Sequence, residues 1–351
     1  MRITYLGFNS FINYKRGVEN VIDFQSKASS SVINYYVHWD SKMTIAHYEN
    51  FICIGIKKRP FWILTLNLIL YKIKKRDKKI FIHSHNPLMS ICSIYQSNLY
   101  TVHDALYYQT SVNNYRFKKI FFFLEKLLYT RTSFVHFISD YSKKMSLFSG
   151  KNWIIIPNTS HFENFKLNKD DFSKKEEIQF NTSKVKVFAV RSIEDRARID
   201  LVIEVAKYLK NENFQFLIAG KGPLLDFYSN KIKSLNLENI KLLGYVPDNV
   251  LIEYYKNCDI VLVPAEYGEG FGLPIIEGYL FDKPVIASNI CAIPEVVCSE
   301  DYLFENTVSS IVEKLEFVSE NRKQSYKEYY DSKFSNSIII NSFMQLYENV
   351  K

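Results

Sequence analysis

Short apolar runs rich in β-branched and aromatic residues recur along this chain, and most are separated by stretches long enough to form a helix. "RITYLGF" comes first, followed by a glycine turn and a helical pattern in "RGVENVIDFQSKAS". "NYYVHW", "NFICIGI", "IFIHSHN", "SNLYTVHD", "SFVHFIS" and "NWIIIPN" follow, with helical-length segments between several of them. Such alternation predicts βαβ units around a parallel sheet. Residues 164–183, "NFKLNKDDFSKKEEIQFNTS", are the most polar stretch and read as a linker. The alternation then restarts with "KVKVFAV", "RIDLVIEVAKYLKN", "FQFLIAGKG", "LLDFYSNKIKSLN", "IKLLGYV", "DNVLIEYYKNC", "DIVLVPA" and "PVIAS". The expected fold class is α/β: two Rossmann-like domains facing a central cleft, residues 1–168 and 169–334, with a last helix over about 335–351 returning to the first. Ligands are expected at the carboxyl ends of the strands.

A length of 351 residues suits two domains, and 47% apolar residues suffice for their cores. Cys53, Cys92, Cys258, Cys291 and Cys298 are scattered and form no CxxC pair, which fits a reduced, cytoplasmic compartment. "MRITYLGFNS" reads as a first strand and turn rather than a signal peptide. The longest apolar run, "FWILTLNLILY", is far short of the ~20 residues a spanning helix needs.

Charge is unevenly spread. Residues 1–170 hold 24 Lys+Arg against 10 Asp+Glu, whereas the remainder holds 21 against 27. "YKIKKRDKK" (71–79) and "NYRFKKIFFFLEKLLYTR" (114–131) interleave cations with aromatics. Attraction to an anionic membrane surface, or to a phosphate-bearing substrate, is one reading; two ordinary helices with solvated lysines is the other. No nucleic-acid recognition signature is present, so no nucleic-acid partner is expected.

The chemistry concentrates in "EYGEGFGLPIIEGYLFDKPVIASN", Glu266 to Asn289. Gly270 and Gly272 let backbone approach a ligand closely, and the following proline suits the first turn of a helix. Amides near Phe271, Gly272 and Leu273 would then point from a helix N-terminus, a natural diphosphate cradle. Glu277 falls about one turn into that helix, and its acceptor-only carboxylate suits a vicinal diol such as a ribose. Glu269 precedes the turn and could reach sugar hydroxyls beyond the phosphates. Singly, each acid reads as well as macrodipole complementation or an exposed loop acid. The glycines fixed between them favour the functional reading.

"EGFGLPIIEG" with "KPVIASNICAIPEVV" resembles the E-x7-E region of family 4 glycosyltransferases, retaining enzymes of the GT-B fold. "LIAGKGPLLDFY" (217–228), "IKLLGYVPDNVLIEYYKNCDIVLVPA" (240–265), "FVHFISDYSKK" (134–144) and "IIIPNTS" (154–160) extend the resemblance. It implies that Glu277 binds the donor ribose, Glu269 the transferred sugar, and amides around Gly272 the phosphates. Val246 would meet the base through its backbone. The family places an arginine after the first strand of the second domain and a lysine six residues later. Arg191 in "VFAVRSIEDRARIDLVIEV" matches the first; the second falls on Ala197, flanked by Arg196 and Arg198. Arg198 is the favoured replacement, the other reading being a solvated residue before a helix. GT-B enzymes generally use no bound metal, and no DxD motif occurs, so such cations must meet the charge that develops on the leaving diphosphate.

In the first domain, "YKRGVENV" resembles the family's glycine loop, where Gly17 could offer its amide to the distal phosphate, or simply start a helix. "LYTVHDALYY" resembles the family's histidine-bearing strand end, implying that His103 positions the transferred sugar. The bland alternative is a strand-terminal histidine bonded to its own backbone. His83 and His85 alternate on a strand and share a face. With no third ligand in sight they make a poor metal site, and His85 is expected at the rim of an acceptor site.

The resemblance therefore implies metal-independent, retaining transfer from a nucleotide-sugar to a hydroxyl of a glycan or lipid-linked acceptor, with no cofactor beyond the donor substrate. Bacterial surface polysaccharide assembly at the cytoplasmic face of the inner membrane is the expected setting. The altered cation segment leaves one alternative, a non-catalytic GT-B protein that binds a nucleotide-sugar or a partner glycosyltransferase. A dinucleotide oxidoreductase is disfavoured because no G-x-G-x-x-G follows the first strand.

Overall fold

The computed structural model describes residues 2–11, 17–29, 32–58, 60–112, 117–165, 180–181, 183–321 and 325–350. Most of the polar stretch expected as a linker lies outside them. The chain divides into two units, Met1–His161 with Asn336–Lys351, and Phe162–Ser335.

The first unit opens with β1 (Thr4–Leu6), α1 (Gly17–Ser26), β2 (Asn34–Asp40), β3 (Thr44–Tyr48), β4 (Phe51–Lys57) and α2 (Trp62–Asp77). It continues with β5 (Ile82–Ser84), α3 (Pro87–Cys92), β6 (Ser97–Val102), α4 (Leu106–Val112), α5 (Lys118–Thr130), β7 (Thr132–Phe137), α6 (Asp140–Met145) and β8 (Trp153–Ile155). The second unit holds β9 (Val185–Val190), α7 (Ile199–Tyr208), β10 (Phe214–Ala219), α8 (Leu225–Ser234), β11 (Ile240–Gly244), α9 (Asp248–Asn257) and β12 (Ile260–Val263). After these come α10 (Leu273–Leu280), β13 (Val285–Ser288), α11 (Ile293–Val296), β14 (Leu303–Phe304), α12 (Val308–Glu320) and α13 (Tyr326–Lys333). The last helix, α14 (Asn336–Asn349), belongs to the first unit.

The first sheet runs β3-β4-β2-β1-β5-β6-β7-β8. Every pairing is parallel except β3 with β4, an antiparallel edge that the strand–helix alternation does not predict. β3 alternates half-buried and exposed residues and contributes little to the core, so it carries no apolar run. Both faces of the central strands are covered, as parallel sheets require. Tyr5, Tyr36 and Cys53 meet Ile22 of α1 and Ile339, Phe343 and Leu346 of α14. Leu6, Tyr35, Val37 and Ile54 meet Leu66, Ile69, Leu70 and Ile73 of α2. The spacing of those four α2 residues places them on one stripe of the helix, which fixes its docking face.

The second sheet runs β11-β10-β9-β12-β13-β14, with all pairings parallel. The chain winds outward from β9 to β11, then returns to start again at β12 beside β9. That reversal is the doubly wound Rossmann order, and its switch point lies between the carboxyl ends of β9 and β12. In the first sheet the chain likewise winds away on one side of β1 and restarts at β5 on the other.

Candidate functional site

Arg191 is the first residue past β9, and its amide is tied to Ala219 O at the end of β10. The glycine turn after β10 locks it further. A Cβ on Gly220, whose φ is 147°, would stand 1.7 Å from Arg191 O, and one on Gly222 would stand 2.1 Å from Ile193 O. Only glycine lets the β10 turn lie against the Arg191 backbone so closely. The arginine is thereby aimed by backbone contacts from a neighbouring strand.

Its guanidinium crosses the switch point. Nη1 donates to Glu269 Oε2 at 2.8 Å, in the loop after β12, and both side chains are largely buried. Nε of Arg191 is buried and has no hydrogen-bond partner among the described residues. A buried cation with a spare donor is costly unless a ligand acceptor completes it.

The loop carrying Glu269 leads into α10. Gly272 caps that helix with φ 93°, and Pro274 occupies its first turn. Among the described residues the amides of Phe271, Gly272 and Leu273 donate no hydrogen bond. The first turn of a helix leaves such donors open, and their partial positive charge favours an anion. Gly270 sits in the bend between Glu269 and this turn. Glu277, on the buried face of α10, accepts from the Tyr255 hydroxyl at 2.7 Å. Burial, with the Glu277 carboxylate next in importance, pushes the Tyr255 hydroxyl well up, so it stays protonated and acts as the donor. Tyr255 is a residue that sequence reasoning missed. Its only signal is its place on the inner face of the "DNVLIEYYKNC" helix.

Arg196 and Arg198 both approach the same loop. Arg196 Nη1 reaches Gly268 O at 3.4 Å, while its Nε bonds Glu194 at 2.8 Å. Arg198 pairs with Glu266 and with Asp200, the latter at 3.2 Å, and burial is opposed by these carboxylates so that its pKa is raised. Its backbone is left-handed at φ 49°, a conformation costing a non-glycine residue on the order of 1 kcal/mol. The second arginine is therefore held by two carboxylates ahead of α7. Val246 is buried just past β11, before α9, while the preceding Tyr245 is exposed with Lys221 Nζ 4.7 Å from its ring centroid.

In the first unit, Gly17 is exposed and opens α1; residues 12–16, which precede it, lie outside the described residues. His103 follows β6 and is half-buried. Its Nε2 lies 2.8 Å from His85 Nδ1. His85 is not at a rim: it is buried, with its amide tied to Leu6 O at the end of β1. His83 is also buried, and both of its ring nitrogens are used, Nδ1 with the Tyr347 hydroxyl at 2.9 Å and Nε2 with Thr101 Oγ1 at 2.8 Å. Burial depresses all these histidines, His103 to about 3. Among the described residues no group of three or more His, Cys, Asp or Glu could hold a metal ion.

Comparison with known proteins bears on the fold and on the second unit. Residues 170–333 match the family model "Glycosyl transferases group 1". An uncharacterized 41.2 kDa protein in the cps region of Klebsiella pneumoniae is 25% identical over 242 residues, 66% of each chain. The O-antigen chain mannosyltransferase B of Escherichia coli is 47% identical over 58 residues, 16% of this chain and 15% of that one. These alignments span less than two thirds of either relative. The structure of Anabaena HepE in complex with UDP superimposes with a TM-score of 0.78 at 15% identity, covering 99% of this chain and 100% of that one. The fold is therefore GT-B, and the match to the glycosyl transferases group 1 model falls within its second unit.

Proposed function

We propose that this protein is a retaining glycosyltransferase that moves a sugar from a nucleotide-sugar to a hydroxyl of a glycan or lipid-linked acceptor in bacterial surface polysaccharide assembly. The observation that carries this reading is the Arg191–Glu269 pair at the switch point of the second sheet, beside the open amides of Phe271–Leu273. In the proposal Glu277, pinned by Tyr255, takes the ribose and Val246 meets the base. Arg191, with the amides around Gly270 and Gly272, takes the diphosphate. Glu269 takes hydroxyls of the transferred sugar. Gly17 reaches the distal phosphate and His103 positions the sugar. Stabilising the leaving diphosphate by fixed cations and amides requires no metal in this scheme. The polysaccharide setting rests on the names of the two bacterial relatives.

The pairing of Arg198 with Asp200 and Glu266, together with Ala197 where the family has lysine, supports a second reading: a nucleotide-sugar binder without transferase activity. Thermal-shift screening with UDP, GDP, dTDP and their sugars selects the donor, since a ligand raises apparent stability according to its affinity. Incubation of that donor with a bacterial lipid extract then decides between the readings. A glycosylated product with the donor's anomeric configuration supports transfer. Binding with no product and no donor hydrolysis supports the second reading, and no stabilisation by any nucleotide overturns both.

We place the enzyme peripherally on the cytoplasmic face of the inner membrane. Among the described residues no helix is long and apolar enough to cross a membrane. Phe61, Leu64, Leu68 and Tyr71, at the start of α2 and along it, are exposed at spacings that put them on one stripe, and Ile120, Phe123 and Leu127 do the same on α5. α3, with exposed Leu88, touches both helices. The acids of α2 and α5 are both engaged: Asp77 pairs with Arg2 at 2.8 Å, and Glu125 is buried among backbone donors. Apolar stripes bordered by lysines and devoid of free carboxylates suit an anionic lipid surface.

A further inference from the structure

The contact between His85 and His103 sits where a ligand-binding role for His103 would be set. β1 and β5 flank the reversal of the first sheet, and His85 follows β5 with its amide on Leu6 O, so its backbone is fixed from both strands. Its ring lies 4.5 Å from that of His83 and 6.2 Å from that of Tyr5, measured between centroids. Its Nδ1 meets His103 Nε2, and its Nε2 is buried with no partner among the described residues.

Two neutral imidazoles share one proton across such a contact, so one ring donates and the other accepts. If His103 donated, His85 would carry its own proton on Nε2, an N–H buried against aromatic rings with no acceptor. If His85 donates from Nδ1, only a bare ring nitrogen is buried there. Stranded N–H groups are the rarer of the two in folded proteins. His103 then accepts at Nε2 and carries its proton on Nδ1. That nitrogen makes no hydrogen bond among the described residues and is not enclosed, so it forms the open end of the pair.

We infer that His85 is a positioning residue that fixes His103 in the Nδ1–H tautomer, so that His103 offers a ligand oxygen a donor and has no lone pair left with which to act as a base. This deepens the proposed transferase reading and rests on it for the identity of the ligand. The role of His103 becomes polarisation of a sugar oxygen, and removal of the acceptor's proton falls to another group.

Nitrogen-15 spectra of the histidine rings, with His103 assigned by loss of its signals in His103→Gln, read the tautomer directly. A protonated Nδ1 and a bare Nε2 on His103, unchanged between pH 5.5 and 8, support the inference. A proton on Nε2 of His103 overturns it, whether or not the protein transfers sugar. His85→Leu removes the donor, while His85→Asn keeps an amide N–H near the Nδ1 position. His85→Leu is expected to give mixed His103 tautomers and about tenfold lower kcat with little change in the donor KM, and His85→Asn to recover most of the loss. His85→Leu with wild-type tautomer and kcat overturns the inference. Absence of any transferase activity in the wild type overturns the proposed function instead, and the spectra still decide the tautomer.

Discussion

Arg191 Nη1 stands 2.8 Å from Glu269 Oε2, although the two residues are 78 positions apart in the chain. The contact joins the loops that leave β9 and β12, the two strands between which the sheet changes direction. An open α/β sheet leaves a crevice at that point, because the loops on its two sides diverge. Here the crevice carries a cation, a carboxylate and the start of α10. In the proposed reaction Arg191 holds the diphosphate and Glu269 the sugar, so the pair couples the two ends of the bond that breaks.

Arg191→Ala is expected to lower kcat by roughly 10²–10³, the loss typical of one donor that stabilises a developing oxyanion. Glu269→Ala is expected to lower turnover more than nucleotide affinity. Initial rates and nucleotide titrations check both. A pair that merely buttressed the fold would behave differently: removing one partner would lower Tm, while turnover per folded molecule held.

The Tyr255–Glu277 contact makes a separate statement about binding. A hydrogen bond to a carboxylate is worth about 1.5–3 kcal/mol, and here it also holds the Glu277 side chain that the proposed function assigns to the ribose. Tyr255→Phe is therefore expected to weaken nucleotide affinity roughly tenfold or more, and Glu277→Ala further still. Calorimetric titration with the best nucleotide from the stability screen measures both. Wild-type affinity in Glu277→Ala would sink the ribose assignment, and wild-type affinity in Tyr255→Phe alone would sink the positioning role of the tyrosine.

The buried histidines of the first unit predict acid sensitivity. Ile156 O can only accept, so His136 donates from Nε2 at 2.8 Å and accepts from Thr101 at Nδ1, 2.9 Å away. Thr101 has then spent its proton and accepts from His83 Nε2, which leaves His83 Nδ1 to accept from the Tyr347 hydroxyl. Tyr347 in turn accepts from Tyr5 at 3.0 Å. One directed chain thus ties α14 to β1, β5, β6 and β7, and it requires neutral histidines throughout. Burial holds His83 well below its ordinary value and His136 at about 4. Because folding depresses these pKa values, the unfolded chain takes up the protons first. Their contribution is fully present above the unfolded value near 6.5 and is lost as pH falls through about 4. Both histidines therefore make stability fall as pH drops from about 6.5 towards 5, because the unfolded chain binds protons there that the folded chain does not. Urea unfolding at pH 7.5, 6 and 5 tests this; equal stability at 7.5 and 5 would contradict it.

What the sequence makes legible follows from how local each signal is. The turn from Glu269 to Glu277 is readable because glycines, proline and both acids lie within nine consecutive residues. The alternation of strands and helices is equally local, and the parallel sheets follow from it. Partners distant in sequence leave no such trace. Tyr255 is separated from Glu277 by a strand and a loop, and "EYYKNC" offers two tyrosines with nothing to choose between them. Glu266 and Asp200 give no sign in the sequence that they clasp Arg198. His85 reads as a rim residue because strand alternation reports a face and not the depth at which the strand lies. β3 escapes notice because an exposed antiparallel edge needs no apolar run.

The exposed stripes on α2 and α5 carry the last prediction. In water, each large apolar side chain left exposed forgoes about 1.5–3 kcal/mol of burial. Lysines along the same helices would hold such residues near an anionic bilayer, by an attraction that fades over a Debye length of about 10 Å at 0.1 M salt. The protein is therefore expected to co-sediment with vesicles containing anionic lipid at low salt, less at high salt, and little with neutral vesicles. Leu64→Ser with Leu68→Ser removes apolar contacts at two exposed positions, so it should weaken binding at every salt concentration and leave Tm nearly unchanged. Lys74→Glu with Lys75→Glu should weaken binding chiefly at low salt, which separates the electrostatic from the apolar share. No co-sedimentation of the wild type at low salt would remove the membrane from the proposal and return these stripes to the reading of ordinary solvated helix faces.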